Sequence, residues 1–247
     1  MAFNIASLRR SETKPPRIII HGEPGIGKST FGACAPDPVF LLTEDGLGNL
    51  DVPHFPLARS FDDVLEAITS LYTDEHQFKT LVVDSIDWLE PLIWSHTCSI
   101  EGVDSVEKIG GGYGKGYVET AKYWRQFLDA ITALRDDKGM IIVMIAHSQK
   151  VRVEDPMTAA YDTMDLKMHK RASALCEEFA DVILYACLHT AVVQEDAGFN
   201  KKRSRAVSNG SRVMHTIGTP AYLAKNRYSL PTPLPLSWES FSEAMKK

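Results

Sequence analysis

The sequence predicts an α/β fold: a mainly parallel central sheet with helices on both faces and an antiparallel carboxyl-terminal edge. Three observations predict it. Short apolar runs alternate with segments of helical spacing along most of the chain, the pattern of strand–helix–strand units. The first apolar run, Ile18 to Ile20, leads into "HGEPGIGKST", which fits G-x-x-x-x-G-K-[ST] at Gly22, Gly27, Lys28 and Ser29. A chain of 247 residues, 44% hydrophobic and 24% charged, suits one globular α/β domain with at most a small appendage.

Each element follows from its local pattern. Ser29 to about Cys34 is a short helix after the glycine loop, and Val39 to Thr43 a second strand. Phe61 to Tyr72 carries Phe61, Val64, Leu65, Ile68 and Leu71 at helical spacing. Thr80 to Asp84 is a third strand, followed by a helix expected to break or bend at Pro91. Val118 to Leu134 is the longest amphipathic segment, and Met140 to Ala146 is wholly apolar, as in a strand buried in mid-sheet. Asp181 to Val193 is a further strand with a polar hairpin tip around Asp196 to Arg205. Short strands at Arg212 to Ile217 and Ala221 to Ala224 precede a proline-rich tail. Residues 1–16 form an arm, 17–230 the core and 231–247 the tail.

Several classes are excluded or disfavoured. No apolar run reaches about eighteen residues and the amino terminus lacks a signal-peptide core, so a cytoplasmic protein without a membrane partner is expected. Cys34, Cys98, Cys176 and Cys187 are scattered without C-x-x-C spacing, which suits reduced, mostly buried thiols. A formal net charge of −5 argues against coating nucleic acid by bulk charge and leaves room for a local basic surface.

The glycine loop sets the chemistry. Gly22, Glu23, Pro24, Gly25, Ile26, Gly27, Lys28, Ser29 and Thr30 would wrap backbone N–H groups around phosphate oxygens. Lys28 would reach the β and γ phosphates and the Ser29 hydroxyl would hold Mg²⁺, which makes ATP and Mg²⁺ the expected ligands. A second hard oxygen ligand should end a neighbouring apolar strand, and "TLVVDS" supplies Asp84 there. Hydrolysis also needs a group that orients or deprotonates water. "FLLTEDG" puts two candidates, Glu44 and Asp45, directly after the second strand.

This arrangement resembles the RecA-like ATPases, whose catalytic glutamate follows that same strand, which implies Glu44 as the general base. In AAA+ proteins that glutamate sits beside the Mg²⁺ aspartate, where this chain has Ser85. "AYLAKNRYSLP" carries Lys225 and Arg227 in a K-x-R pair that looks like the finger of hexameric DnaB-type helicases, which completes the ATP site of an adjacent subunit. Two residues apart on an extended segment, both can meet one phosphate; a solvated basic pair is the plainer reading. The resemblance also implies a polar sensor after the fourth core strand, where "IIVMIAHSQK" offers His147, Ser148 and Gln149 instead of an Asn-Gln pair. His147 either senses the γ phosphate or caps a buried strand end.

A mobile loop touching single-stranded DNA is implied after that strand. Lys150 to Arg171 is polar and contains Arg152, Lys167, Lys170 and Arg171. A second candidate is "GGGYGKGY", where Tyr113, Lys115 and Tyr117 sit among glycines and join stacking faces to a charge. The tip Lys201 to Arg205 adds further basic residues, and "FNIA", Phe3 to Ala6, has the F-x-x-A spacing by which some RecA homologues dock a neighbour. The order of these features resembles small phage-encoded RecA-like proteins of single-strand annealing and recombination. The resemblance implies a homo-oligomeric, DNA-stimulated ATPase with single-stranded DNA and a single-strand DNA-binding protein as partners, in the cytoplasm of a bacterial host. A P-loop kinase acting on a small metabolite and a nucleotide-gated clamp or helicase-type motor are the alternatives.

Overall fold

The computed structural model describes residues 13–154, 159–196 and 202–246, and of 190–196 and 202–209 only the backbone. Phe3 to Ala6, Lys201 and the side chains of Lys202 to Arg205 thus lie outside the described part.

The chain starts with β1 (Arg17–Gly22), α1 (Lys28–Ala33), β2 (Pro38–Leu42), α2 (Phe61–Thr73), β3 (Thr80–Asp84) and α3 (Ile86–Glu101). After a 3₁₀ segment, Val106–Gly111, come α4 (Lys115–Asp137), β4 (Ile141–Val153), β5 (Tyr161–Leu166) and α5 (Lys170–Phe179). β6 (Val182–Asp196), β7 (Lys202–His215), β8 (Lys225–Asn226), β9 (Leu234–Pro235) and α6 (Trp238–Met245) complete it. The sheet order is β2-β3-β4-β1-β6-β7-β9. Its first five strands run parallel, while β7 and β8 pair antiparallel with β6 and β9 antiparallel with β7. The α/β fold class holds, antiparallel carboxyl-terminal edge included.

Strand alternation divides the core in two. Ile19, Leu41, Val83, Ile142 and Met144 face α2 to α5 and pack on Ile68, Ile93, Phe127 and Ile131. Ile18, Ile20, Phe40, Val82 and Val143 face the other side and pack on Phe31 of α1 and on Trp238 and Phe241 of α6. Capping sets where α2 starts: the Ser60 hydroxyl accepts from the Asp63 N–H at 3.1 Å, and the Asp63 carboxylate accepts from the Ser60 N–H at 3.0 Å.

Five expectations are corrected. α3 continues through Pro91, so of the break or bend expected there the break does not occur. α4 begins at Lys115, three residues before Val118, because Gly114 takes a left-handed φ of 75° at the cap and Gly116 lies against the 3₁₀ segment. There a side-chain carbon would fall on the Val106 carbonyl oxygen, so Gly116 serves close packing, not flexibility. β4 does not end at Ala146 but continues to Val153, pairing antiparallel with β5; of the expected loop Lys150 to Arg171, Lys150 to Val153 and Tyr161 to Leu166 are therefore paired strands and Lys170 and Arg171 open α5. Ala221 to Ala224 is not a strand and makes only isolated bridges at Tyr222, to Met164 and to Thr219, while the paired residues are Lys225 and Asn226. Of the four thiols only Cys176 is buried, and Cys34 is exposed.

Candidate active site

The phosphate loop connects β1 to α1 at the carboxyl end of the parallel strands. Gly22 is required by close approach: a Cβ there would stand 2.4 Å from the Ala186 carbonyl oxygen of β6. Gly25 and Gly27 take φ of 76° and 111°, the left-handed region that glycine enters at no steric cost. Lys28 is 6% exposed, and its ammonium donates to the carbonyls of Gly22 at 3.1 Å and Glu23 at 3.0 Å, which holds it over the loop. Burial pulls its pKa below the ordinary lysine range, against Asp84, Asp87 and Glu44.

The Ser29 hydroxyl donates to Asp84 Oδ2 at 2.7 Å. Burial pushes the Asp84 carboxyl up, the Ser29 hydrogen bond opposes, and neighbouring Glu44 adds to the rise. Two hard oxygens converging on one spot, with a carboxylate whose charge burial disfavours, are a donor set that fits Mg²⁺. Bound there, Mg²⁺ would neutralise charge on the β and γ oxygens of a triphosphate.

Glu44 reaches the site because the ends of β2 and β3 are latched together. The Thr43 hydroxyl donates to the Ser85 carbonyl at 2.6 Å and accepts from the Ser85 N–H at 2.8 Å, while the Thr43 N–H donates to the Asp84 carbonyl at 2.9 Å. Ser85 is thus half of a backbone clasp. Glu44 Oε1 comes within 3.9 Å of His147 Nδ1. That nitrogen is held at 2.9 Å by Asp87 Oδ2, and Asp87 Oδ1 accepts from the His147 backbone N–H at 3.0 Å. Since a carboxylate only accepts, Nδ1 carries the proton. Burial raises the Asp87 pKa, but the bonds to His147 outweigh it and leave the group below the usual carboxylate range. Gly25, Lys28, Ser29, Glu44, Asp84 and His147 line one cavity of about 380 Å³.

Of the three residues expected as a sensor, only His147 faces this cavity. Strand alternation sends Ser148 to the other side, where its hydroxyl lies 2.9 Å from Nδ1 of buried His21. The Gln149 amide donates to the carbonyls of Leu166 and Met168 at the β5–α5 turn. Lys225 and Arg227 lie far from their own phosphate loop. They flank the start of β6, where Lys225 Nζ donates to the Glu177 carbonyl at 2.5 Å and Arg227 Nη1 bonds Asp181 Oδ1 at 3.0 Å.

The basic and aromatic candidates separate. Tyr113 is fully exposed, whereas Lys115 is in the first turn of α4, donating to the Gly110 carbonyl at 3.0 Å. Tyr117 stacks on His169 with ring centroids 3.9 Å apart, which joins the start of α4 to the start of α5 and to exposed Lys167, Lys170 and Arg171. Arg152 bonds Asp162 across the hairpin at 3.3 Å.

Two groups escaped sequence reasoning. Asp87 follows Asp84 by three residues and reads as an ordinary first-turn acid of a helix. Arg212, in β7, lines the phosphate cavity, and a Cβ placed on Gly27 would meet its Nη1 at 3.1 Å. Nothing in the sequence around Arg212 signals that.

With this geometry in view, the comparisons give the class. Residues 14–228 match the protein-family model AAA_24, described as an AAA domain. The chain belongs to this family of P-loop NTPases. No curated protein matched it. Among the described residues no helix is long and apolar enough to cross a membrane.

Proposed function

We propose that the protein binds and hydrolyses ATP with Mg²⁺, and that it works as an oligomer on single-stranded DNA in a RecA-like pairing or annealing role. The observation that carries the hydrolytic part is the convergence of Glu44 and the Asp87–His147 pair on the cavity that holds Lys28, Ser29 and Asp84. Binding alone needs the loop and a cation site. An acidic side chain beside an imidazole fixed by a second carboxylate is the equipment for drawing a proton from water. In this reading Glu44 accepts the proton of the attacking water, Asp87 holds the imidazole in one tautomer, and Lys28 stabilises charge on the transferred phosphoryl group.

The DNA part rests on the resemblance and on one juxtaposition. The Tyr117–His169 stack brings the glycine-rich turn and the basic residues before and in α5 onto one surface. Lys115 and Arg152 already have acceptors in their own chain, which narrows the candidate contacts to Tyr113, Tyr117, Lys167, Lys170 and Arg171.

Purified protein with ATP and Mg²⁺, with and without a long oligonucleotide, tests both parts. Slow phosphate release that rises with single-stranded DNA is expected, and Glu44→Gln should lower it by roughly 10²- to 10⁴-fold while ATP still binds. Phosphate transfer to nucleoside monophosphates without a response to DNA would instead make the protein a kinase. Hydrolysis indifferent to DNA, with no binding of a labelled oligonucleotide at low salt, would remove the DNA role and leave the ATPase.

A further inference from the structure

α3, the 3₁₀ segment and the start of α4 border a cavity of about 370 Å³ that shares no lining residue with the phosphate cavity. Trp94 and Cys98 line it from α3, Ser105, Val106 and Glu107 from the 3₁₀ segment and its cap, and Tyr117 from α4. Its walls are fixed. Gly116 lies against the Val106 carbonyl, where no side chain fits, and the Trp94 and Tyr117 rings meet edge to face with centroids 5.6 Å apart. Trp94 Nε1 is buried without a hydrogen-bond partner, so what Trp94 shows the cavity is hydrocarbon. Two polar groups stay open. The Ser105 hydroxyl accepts from the Glu107 N–H at 3.3 Å and keeps its own proton to donate. Glu107 is exposed, and among the described residues its carboxylate has no cationic partner, whereas neighbouring Asp104 is paired with Lys108 at 2.6 Å.

We propose that this cavity takes one unpaired base of a bound single strand and prefers cytosine and adenine, which carry an amino group beside a ring acceptor nitrogen, to thymine. The proposal rests on the reading that Tyr113, Tyr117, Lys167, Lys170 and Arg171 form a single-stranded DNA surface. Tyr117 is common to both: it lines the cavity and stacks on His169 with centroids 3.9 Å apart, and Lys170 and Arg171 follow His169 directly. A strand whose phosphates lie on those cations thus has its bases beside Tyr117. The volume is within the roughly 300–1,000 Å³ of small-molecule sites, and the lining has their composition, apolar at Trp94, Val106 and Tyr117 with polar groups at one side. Unpaired bases are recognised against aromatic side chains and through the edge that a duplex keeps occupied. The Glu107 carboxylate only accepts and therefore suits the amino group of cytosine or adenine, while the Ser105 hydroxyl can donate to the adjacent ring nitrogen. Thymine presents an oxygen in place of that amino group and would set acceptor against acceptor. Backbone charge and stacking read no such edge, so a preference between two pyrimidine strands that depends on Glu107 belongs to this cavity.

Labelled oligo(dC) and oligo(dT) of equal length, titrated at low salt and mildly alkaline pH, separate the inference from the reading beneath it. Oligo(dC) should bind roughly fivefold or more tightly than oligo(dT). Glu107→Gln should bring the two within about twofold by weakening oligo(dC), because an amide can turn its NH₂ toward the thymine oxygen. Cys98 reports occupancy in the unaltered protein, since it is partly exposed and lines the cavity. Its alkylation, followed by mass spectrometry, should slow roughly fivefold or more under saturating oligo(dC), in step with the share of time a base fills the cavity. Exposed Cys34, at the end of α1 on the opposite face of the sheet, should react as before. If both strands bind and either the preference or the shielding of Cys98 is missing, no base is read in the cavity, and the inference is overturned with the DNA reading intact. If neither strand binds, the DNA reading fails and the inference falls with it.

Discussion

Asp87 spends both of its oxygens on His147, one on the backbone N–H and one on the ring, so a single carboxylate fixes the residue's position and its tautomer. Asp87→Asn keeps the size and one acceptor but sets an amide against a protonated ring nitrogen, which favours the other tautomer or a turned ring. Hydrolysis should fall by roughly ten- to a hundredfold, with nucleotide affinity changing less than about threefold, because the carboxylate acts through the imidazole. Single-turnover phosphate release and titration with a fluorescent nucleotide check the split; an equal loss in both would make Asp87 a mere support of the loop. This residue also marks where sequence reasoning stops. Gly22 to Ser29 and Asp84 could be read because their signals are local: a loop, or an acid, at the end of an apolar run. Asp87 and Arg212 could not, since the groups they serve arrive from distant parts of the chain through the sheet.

At the scale of elements, β4 shows why the apolar half of a strand is legible and its polar half is not. From Ile141 to Ala146 burial on both sheet faces demands an unbroken apolar run, whereas from His147 onward the strand is held by hydrogen bonds to β5 and polar residues suffice. The α4 start was hidden for a similar reason, since glycines suggest a loop and only the Val106 contact reveals why Gly116 sits in a helix. Between β1 and β4, His21 is fully buried, with Nδ1 2.9 Å from the Ser148 hydroxyl and Nε2 2.8 Å from the Leu223 carbonyl, and burial lowers its pKa from 6.5 to about 4. A histidine kept neutral in the fold gives stability that is present above pH 6.5 and lost as pH falls through 4. The whole effect is about 3 kcal/mol. Glu90 acts in the opposite sense: burial raises its pKa from 4.5 to about 7, against the bond it accepts from the His169 N–H. Its contribution is present below pH 4.5 and lost as pH rises through 7. Urea unfolding from pH 4 to 8 should therefore show stability falling at both ends. Glu90→Gln should gain roughly 1–3 kcal/mol at pH 8 and nothing near pH 4; a parallel shift at every pH would contradict the assignment.

For the whole molecule the question is what Lys225 and Arg227 can reach. They sit beside Arg17, at the amino end of β1, and the phosphate loop begins at its carboxyl end, roughly 17 Å away along the strand. No rearrangement of two side chains spans that distance within one chain, so a role in hydrolysis requires a second copy. Arg227 is free to take it. Its side chain is half exposed, and its partner Asp181 also bonds Arg17 at 2.9 Å and Arg135 at 3.5 Å, so Asp181 stays compensated when Arg227 leaves. Arg227→Ala should accordingly cost less than about 1 kcal/mol of stability in urea. If the pair serves a neighbour's triphosphate, the Lys225→Ala/Arg227→Ala double variant and a Lys28→Ala variant should each hydrolyse ATP poorly for complementary reasons. One lends no cations; the other holds no productive nucleotide. Mixed in equal amounts and allowed to co-assemble, an intact loop faces an intact pair at roughly a quarter of the interfaces of a head-to-tail assembly, and hydrolysis should return to about that fraction of the unaltered rate. Light scattering confirms that mixed assemblies form. A mixture that assembles and stays as inactive as its components would leave Lys225 and Arg227 as a clasp on the α5–β6 junction, and the hydrolytic site would then be complete within a single chain.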